Sequence, residues 1–185
     1  MIQLWSLIFL LIAFNAHAEP CKIDMANLAE AIQSAGQAQV LTLSGLSDPH
    51  SGEPIRRYVQ QLSDGTIIIA EQKHCLMYNL TVTLLLPEGV PIDIASSRLA
   101  NTLEKTPEWN KWFNDLDARE ILSSEFASIR FKSHVNQVGS FSYSLDDRIM
   151  THNENSEAIL RLVNLDSGSL PFNVIVSIYI GVGGL

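Results

Sequence analysis

The stretch from Thr66 to Leu86 constrains the fold of this chain more than any other part of the sequence. After Cys75, apolar or aromatic side chains stand at every second position, namely Leu76, Tyr78, Leu80, Val82, Leu84 and Leu86. Successive side chains of a β-strand point to opposite faces, so this pattern predicts a half-buried strand with one continuous apolar side. We expect it to be the central strand of a sheet, with Cys75 as the covalent anchor of the fold.

A second run, near the end of the sequence, alternates almost as regularly. Its apolar face consists of Phe172, Val174, Val176, Ile178 and Ile180. We expect this run to be a strand that neighbours the first one or lies close to it.

Shorter runs and turn signals predict the remaining strands. They fall at residues 40–46, 55–62, 66–72, 128–135, 139–145 and 158–165. A short helix fits the last of these runs nearly as well as a strand does. Asp64-Gly65, which stands between two apolar runs, is typical of a β-hairpin turn.

Helical periodicity occurs in two places. Asp24 is a suitable N-cap for a helix over residues 25–35. The apolar face of that helix would consist of Met25, Leu28, Ala29, Ile32 and Ala35. Two or three further short helices are predicted between residues 93 and 126, with Asp93 and Asp117 as N-caps.

The order helix, strands, helices, strands indicates an α+β protein, and no linker or internal repeat divides the chain. We expect a single domain built on a mainly antiparallel sheet of about five to seven strands. The N-terminal helix and the central helical insert should pack on one face of that sheet.

Residues 1–18 have the character of a secretory signal peptide. They contain no charged side chain, and an apolar core from Leu4 to Phe14 precedes the small-x-small pattern Ala16-His17-Ala18. Cleavage after Ala18 would leave one domain over residues 19–185, in the periplasm or outside the cell. An uncleaved membrane anchor is the alternative. A lipoprotein is rejected because a lipobox would need small residues where Glu19 and Pro20 precede Cys21.

Charge and hydropathy restrict the partners of the mature chain. No run after the leader approaches the ~18 consecutive apolar residues of a membrane span. The formal net charge of −8 disfavours nucleic acid and anionic membrane surfaces. It favours a basic protein partner, or no partner at all. No pattern indicates the oligomeric state.

The two cysteines, Cys21 and Cys75, would both be exposed to an oxidising compartment after export. A structural disulfide between them is the expected outcome, and closing a loop of that length would stabilise the fold by roughly 4 kcal/mol. A catalytic or metal-binding thiol at His74-Cys75 is the competing interpretation. The absence of a C-x-x-C spacing counts against it.

No sequence pattern indicates catalysis, and we do not expect an enzyme. The motifs H-E-x-x-H, G-x-S-x-G, the Walker-type loop and the dinucleotide-binding glycine pattern are absent. The histidines lack the i, i+3 or i+4 spacing of a helical metal pair, and His152 with Asp146, Asp147 and Glu154 does not follow a calcium-loop pattern. Neither a metal nor a cofactor is therefore expected.

A small exported binding protein fits these features best, in particular an inhibitor or immunity-type protein that occludes a cationic envelope-targeting enzyme. The irregular segments Ser47–Pro54, Glu71–His74 and Asp146–Ser156 are the expected contact loops. Their candidate contact residues are Asp48, His50, Glu53, Glu71, His74, Asp146, Asp147, His152 and Glu154. A structural or assembly component of a cell-envelope machine would share the same features, and a hydrolase of an unfamiliar kind is the third alternative.

Overall fold

The computed structural model describes residues 40–47, 49, 53–74, 77–104, 117–145, 156–165 and 171–183. Within these residues, seven strands form one antiparallel sheet: β1 (Val40–Ser47), β2 (Pro54–Gln61), β3 (Ile67–His74), β4 (Met77–Pro87), β5 (Gly139–Ser144), β6 (Ser156–Asn164) and β7 (Phe172–Gly183). Between β4 and β5 the described residues form three helices: α1 (Asp93–Glu104), α2 (Ala118–Ala127) and α3 (Ile129–His134). The predicted α+β class and antiparallel sheet are confirmed.

The alternating run after Cys75 is the central strand of the sheet. The strand order is β1-β2-β3-β4-β7-β6-β5, so β4 is the fourth strand of seven. It pairs with β3 on one side and with β7 on the other. Both the central position of this run and its expected neighbour, the run at residues 172–180, are therefore confirmed.

One face of the sheet, which we call the inner face, carries the core. On β4, Leu80, Val82, Leu84 and Leu86 are at most 2% exposed. Side chains of β7 and β6 continue the same apolar surface, namely Val176, Ile178, Ile180, Ala158, Leu160 and Leu162. Each such side chain contributes roughly 1.5–3 kcal/mol when it is fully withdrawn from water, so this face dominates the burial energy.

The helical insert covers this inner face. α1 contacts β4 and β7, and its predicted face, made of Ala95, Leu99, Ala100 and Leu103, is fully buried. α2 packs on α1 and adds Leu122 to the core. The predicted N-cap of α2 is confirmed, because the Asp117 carboxylate accepts the Arg119 N–H at 2.8 Å.

The prediction of a strand over residues 128–135 is wrong, because this segment forms α3. Ser128 is its N-cap, and the Ser128 hydroxyl accepts the N–H of Phe131 at 3.2 Å. Alternation placed Ile129 and Phe131 on one face, yet Ile129 is 86% exposed and Phe131 only 1%. The centre of the Phe131 ring lies 4.2 Å from that of the Phe126 ring. This buried aromatic contact and the Ser128 cap stabilise the helix over the alternative strand.

The remaining expectations fall into two groups. The strands predicted at residues 40–46, 55–62, 66–72, 139–145 and 158–165 are present as β1, β2, β3, β5 and β6. The Asp64-Gly65 turn joins β2 to β3, with Gly65 at the positive φ of 84° that favours glycine. The predicted helix over residues 25–35, the leader and both cysteines lie outside the described residues.

Candidate functional site

The topology brings three strand-to-strand connections to one edge of the sheet, which we call the loop edge. The strand ends that define it are Ser47, Pro54, His74, Met77, Ser144 and Ser156. Antiparallel pairing places β1–β2, β3–β4 and β5–β6 connections at the same edge, because every second connection returns to it. The expected contact loops Ser47–Pro54 and Asp146–Ser156 therefore leave the sheet at the same edge, with β3, β4 and β7 between them.

We call the opposite edge of the sheet, where the β2–β3 turn lies, the turn edge. β5 and β6 are joined by residues 145–155, the longest connection between consecutive strands of the sheet apart from the helical insert. The segments 47–54 and 146–156 together contain Asp48, Glu53, Asp146, Asp147 and Glu154, five acidic residues against the single basic Arg148. Long loops on a regular scaffold are the usual place for binding residues.

Only three of the candidate contact residues belong to the described part of the chain. Glu53 is half-buried and directly precedes β2. Glu71 and His74 lie in β3, where they pair with Thr81 and Tyr78 of β4. The rest of the predicted set lies outside the described residues, namely Asp48, His50, Asp146, Asp147, His152 and Glu154, as do Cys21 and Cys75.

Glu71–His74 is not a loop, because β3 continues through His74. Its role in contacting a partner stays a prediction. Glu71 lies on the outer face of the sheet, opposite the helices, where its Oε2 accepts hydrogen bonds from Arg57 Nε at 2.9 Å and Arg57 Nη2 at 2.6 Å. Lys73 Nζ lies 4.0 Å from the other carboxylate oxygen. Glu71 therefore fixes the Arg57 guanidinium by two hydrogen bonds, and Lys73 is its more distant charge partner, next to the loop edge.

A second polar group lies on the outer face between β4, β7 and β6. The Tyr179 hydroxyl donates to Asn79 Oδ1 at 2.8 Å. Gly181 makes room for this contact, since a Cβ atom at that position would lie 2.7 Å from the Tyr179 hydroxyl oxygen. Burial raises the pKa of Tyr179 to about 12, and the neighbouring Glu157 carboxylate contributes to the shift. The hydroxyl thus stays protonated near neutral pH and acts as a hydrogen-bond donor.

We name these two groups together the outer polar patch: Arg57, Glu71, Lys73, Asn79, Tyr179 and Glu157. Strand register places them side by side, since Lys73 pairs with Asn79, Asn79 with Gly181, and Gly181 with Glu157. Two cations and two carboxylates nearly balance each other, so the patch offers directional hydrogen bonds rather than net charge. It borders the loop edge and extends that surface onto the outer face.

Sequence reasoning missed Arg57, Asn79, Tyr179 and Glu157. Alternation did place Asn79 and Tyr179 on the non-core faces of the two best strands, which is the signal that could have found them. Alternation alone does not show which residues of β4 and β7 pair with each other, because the whole helical insert separates the two strands along the chain. A one-residue change of register would have put the tyrosine hydroxyl beside a different partner.

Comparison with known proteins does not assign this chain to a family. The chain matches no protein-family model, no curated protein and no solved structure. Among the helices that the structure describes, none is long and apolar enough to cross a membrane. In the same residues, no group of three or more His, Cys, Asp or Glu side chains is placed to hold a metal ion.

Proposed function

We propose that this protein is a small exported binding protein that occludes a cationic envelope-targeting enzyme, in the manner of an inhibitor or immunity protein. The observation that carries the proposal is that the two expected contact loops, Ser47–Pro54 and Asp146–Ser156, leave the sheet at the same loop edge. An occluding protein needs several segments presented together from a rigid support, since ordering flexible segments on binding costs free energy.

The sheet supplies such a support. β3, β4 and β7 pair over most of their lengths and carry nine of the 24 buried apolar residues that the structure describes. The Arg57–Glu71 ion pair and the Tyr179–Asn79 hydrogen bond fix side chains directly beside the loop edge. A partner would therefore bind next to side chains that are already ordered.

Charge supports a basic partner. The chain carries a formal net charge of −8, and the two longer segments at the loop edge hold five acidic residues against one arginine. A negative surface of this kind raises the association rate with a cationic protein and makes that rate depend on salt. A lysozyme-like or amidase-like enzyme, positively charged and active on the envelope, has the complementary properties.

We also propose that residues 1–18 direct export, that Cys21 and Cys75 form a disulfide, and that residues 25–35 form a helix. Cys75 stands between His74 and Met77, the ends of β3 and β4 at the loop edge. The bridge would tie the start of the mature chain to that edge, and would constrain the unfolded state by roughly 4 kcal/mol.

The test is capture from envelope extract at low salt, with the mature chain as bait and mass spectrometry as the readout. We expect a stoichiometric cationic enzyme that is released as salt rises, and whose activity falls when the purified protein is added. Recovery of no stoichiometric partner would contradict the proposal. Co-fractionation with a large complex, without loss of any enzyme activity, would favour an assembly role instead.

A further inference from the structure

The sheet carries a second apolar surface, on the face away from α1, α2 and α3. Ile55 is only 7% exposed, yet among the buried apolar residues that the structure describes it alone does not belong to the core cluster. Ile55 and Tyr58 are three residues apart in β2, so their side chains point to opposite faces of the sheet, and Tyr58 belongs to the core. Ile55 is therefore buried on the outer face, where no described helix lies.

A continuous row of aliphatic side chains crosses the same face near the turn edge. Strand register pairs Ile67 with Leu85, Leu85 with Ile175, and Ile175 with Val163. Val59 and Ile69, which pair with each other, form the adjoining row. All six are half-buried, and we call them the outer apolar strip. Paired side chains on one face lie about 5 Å apart, so the strip is one contiguous surface.

The path of the chain says what should cover this strip. β1 begins at Val40, which pairs with Gln60 at the turn edge. Cys75, by contrast, follows His74 at the loop edge. If Cys21 is bonded to Cys75, residues 22–39 have to travel from the loop edge to the turn edge. That path is about the length of β3, roughly 26 Å at ~3.3 Å per residue.

The length of the connecting segment fits this path. A helix over residues 25–35 spans about 16 Å. The seven other residues of the segment, 22–24 and 36–39, reach up to ~23 Å when extended. The helix can therefore lie on the outer face between the loop edge and the turn edge, with a short connection at each end.

Its sequence fits the strip as well. Leu28, Ala29 and Ile32 lie on one side of the predicted helix, and Asn27, Glu30 and Ser34 on the other. An amphipathic helix and a half-buried aliphatic strip each need an apolar partner, and the inner face along β4 and β7 is already covered by α1.

We propose that residues 25–35 form a helix that packs on the outer apolar strip, so that the sheet lies between the helical insert and this N-terminal helix. The arrangement brings Glu19 and the new N-terminus to the loop edge, where they would join the partner-binding surface. The inference rests on the Cys21–Cys75 bridge and not on the identity of any partner.

Photo-cross-linking of the mature, oxidised protein tests this arrangement. p-Benzoylphenylalanine replaces Ile32 in one variant and Glu30, on the opposite side of the helix, in a matched control. We expect the Ile32 variant to give an intramolecular cross-link to Val59, Ile67 or Ile69, located by fragmentation of the tryptic peptide 58–73. The Glu30 variant should give none.

A second variant checks that the strip itself is the docking surface. Ile69→Glu should lower the cross-link yield from position 32 about tenfold, because its carboxylate would be desolvated beneath the helix. Ser142→Glu, on the same face but in β5, should leave the yield unchanged. Cross-links from position 32 to Tyr58, Ile68 or α1, cross-links at the mass of a dimer, or no cross-link would each overturn the proposal. Intact mass with and without reductant reports the disulfide separately.

Discussion

Arg98 of α1 and Asp64 of the β2–β3 turn form an ion pair that joins the helical insert to the turn edge of the sheet. Arg98 Nη2 donates to Asp64 Oδ2, and the other terminal nitrogen of Arg98 donates to the hydroxyl of Thr66, which is fully buried. The Asp64 carboxylate also accepts the N–H of Thr66 at 3.0 Å. One carboxylate therefore fixes both the hairpin turn and the position of the helix that covers the core.

This ion pair makes stability depend on pH in a defined direction. Burial raises the pKa of Asp64, but the hydrogen bonds from Arg98 and Thr66 and the Arg98 charge lower it by more, so the pKa lies below its ordinary value. The stabilising contribution is complete above the unfolded-state pKa of about 3.9 and is lost as pH falls through the lower folded-state pKa.

Asp64→Asn should therefore reduce the free energy of unfolding by about 0.5–1 kcal/mol at neutral pH, since the pair is partly exposed. Urea denaturation at neutral and at acidic pH is the measurement, and the difference from the wild-type protein should shrink as the Asp64 carboxylate is protonated. Glu88→Gln, an exposed acid at the same edge, is the control and should change little. An equal loss at both pH values would contradict the role given to the carboxylate.

The helical assignment of residues 129–134 has a direct test in two neighbouring apolar residues. Phe131→Ala should cost about 3–5 kcal/mol, because its buried ring packs against Phe126 and Tyr143. Ile129→Ala should change stability by less than about 0.5 kcal/mol, because Ile129 is 86% exposed. Chemical denaturation measures both. A strand would put the two side chains on one face, so similar costs would contradict the helix.

The contact between Tyr179 and Gly181 predicts coupled substitutions. Gly181→Ala should destabilise the protein by about 1–3 kcal/mol, because the new methyl group would displace the Tyr179 hydroxyl. In a Tyr179→Phe background the same change should cost clearly less, since the crowded oxygen is gone. A double-mutant cycle by urea denaturation measures the coupling. Additive costs would show that the two residues do not meet as described.

The disulfide prediction is checked by mass and by stability. Intact mass of exported protein should rise by two hydrogens on reduction, and Cys75→Ala should lower the free energy of unfolding by roughly 4 kcal/mol. Cys21→Ala should give the same loss, and the double variant no more than either alone. Two free thiols in exported, folded protein would contradict the bridge.

Strands and helices could be predicted from the sequence wherever apolar residues recur with one regular spacing over a long segment. The alternation of β4 and β7 identified the central pair of strands, and the face of α1 followed from Ala95, Leu99 and Leu103. The failure at residues 128–135 has a physical cause, because a six-residue helix is too short to show its own period. Alternation there arose from side chains of which only Phe131 is buried.

The candidate site was less predictable than the fold. The loops could be recognised from Pro, Gly, Asp and Asn content, but how far apart they lie along the loop edge depends on strand order, which no local pattern contains. Glu71 was assigned to a loop because its neighbours are polar. In the structure Glu71 and Lys73 are outward-facing positions of β3, with Glu71 bonded to Arg57, while Gln72 between them is buried.

Binding of a cationic protein at the loop edge can be tested with two variants that each remove two negative charges. Asp146→Asn/Asp147→Asn removes two charges at the loop edge, and Glu88→Gln/Glu120→Gln removes two exposed charges elsewhere. Association kinetics with the captured partner at low and high salt are the measurement. We expect the first variant to associate about tenfold more slowly at low salt, while the second stays near wild type. Equal rates for the two variants would contradict it.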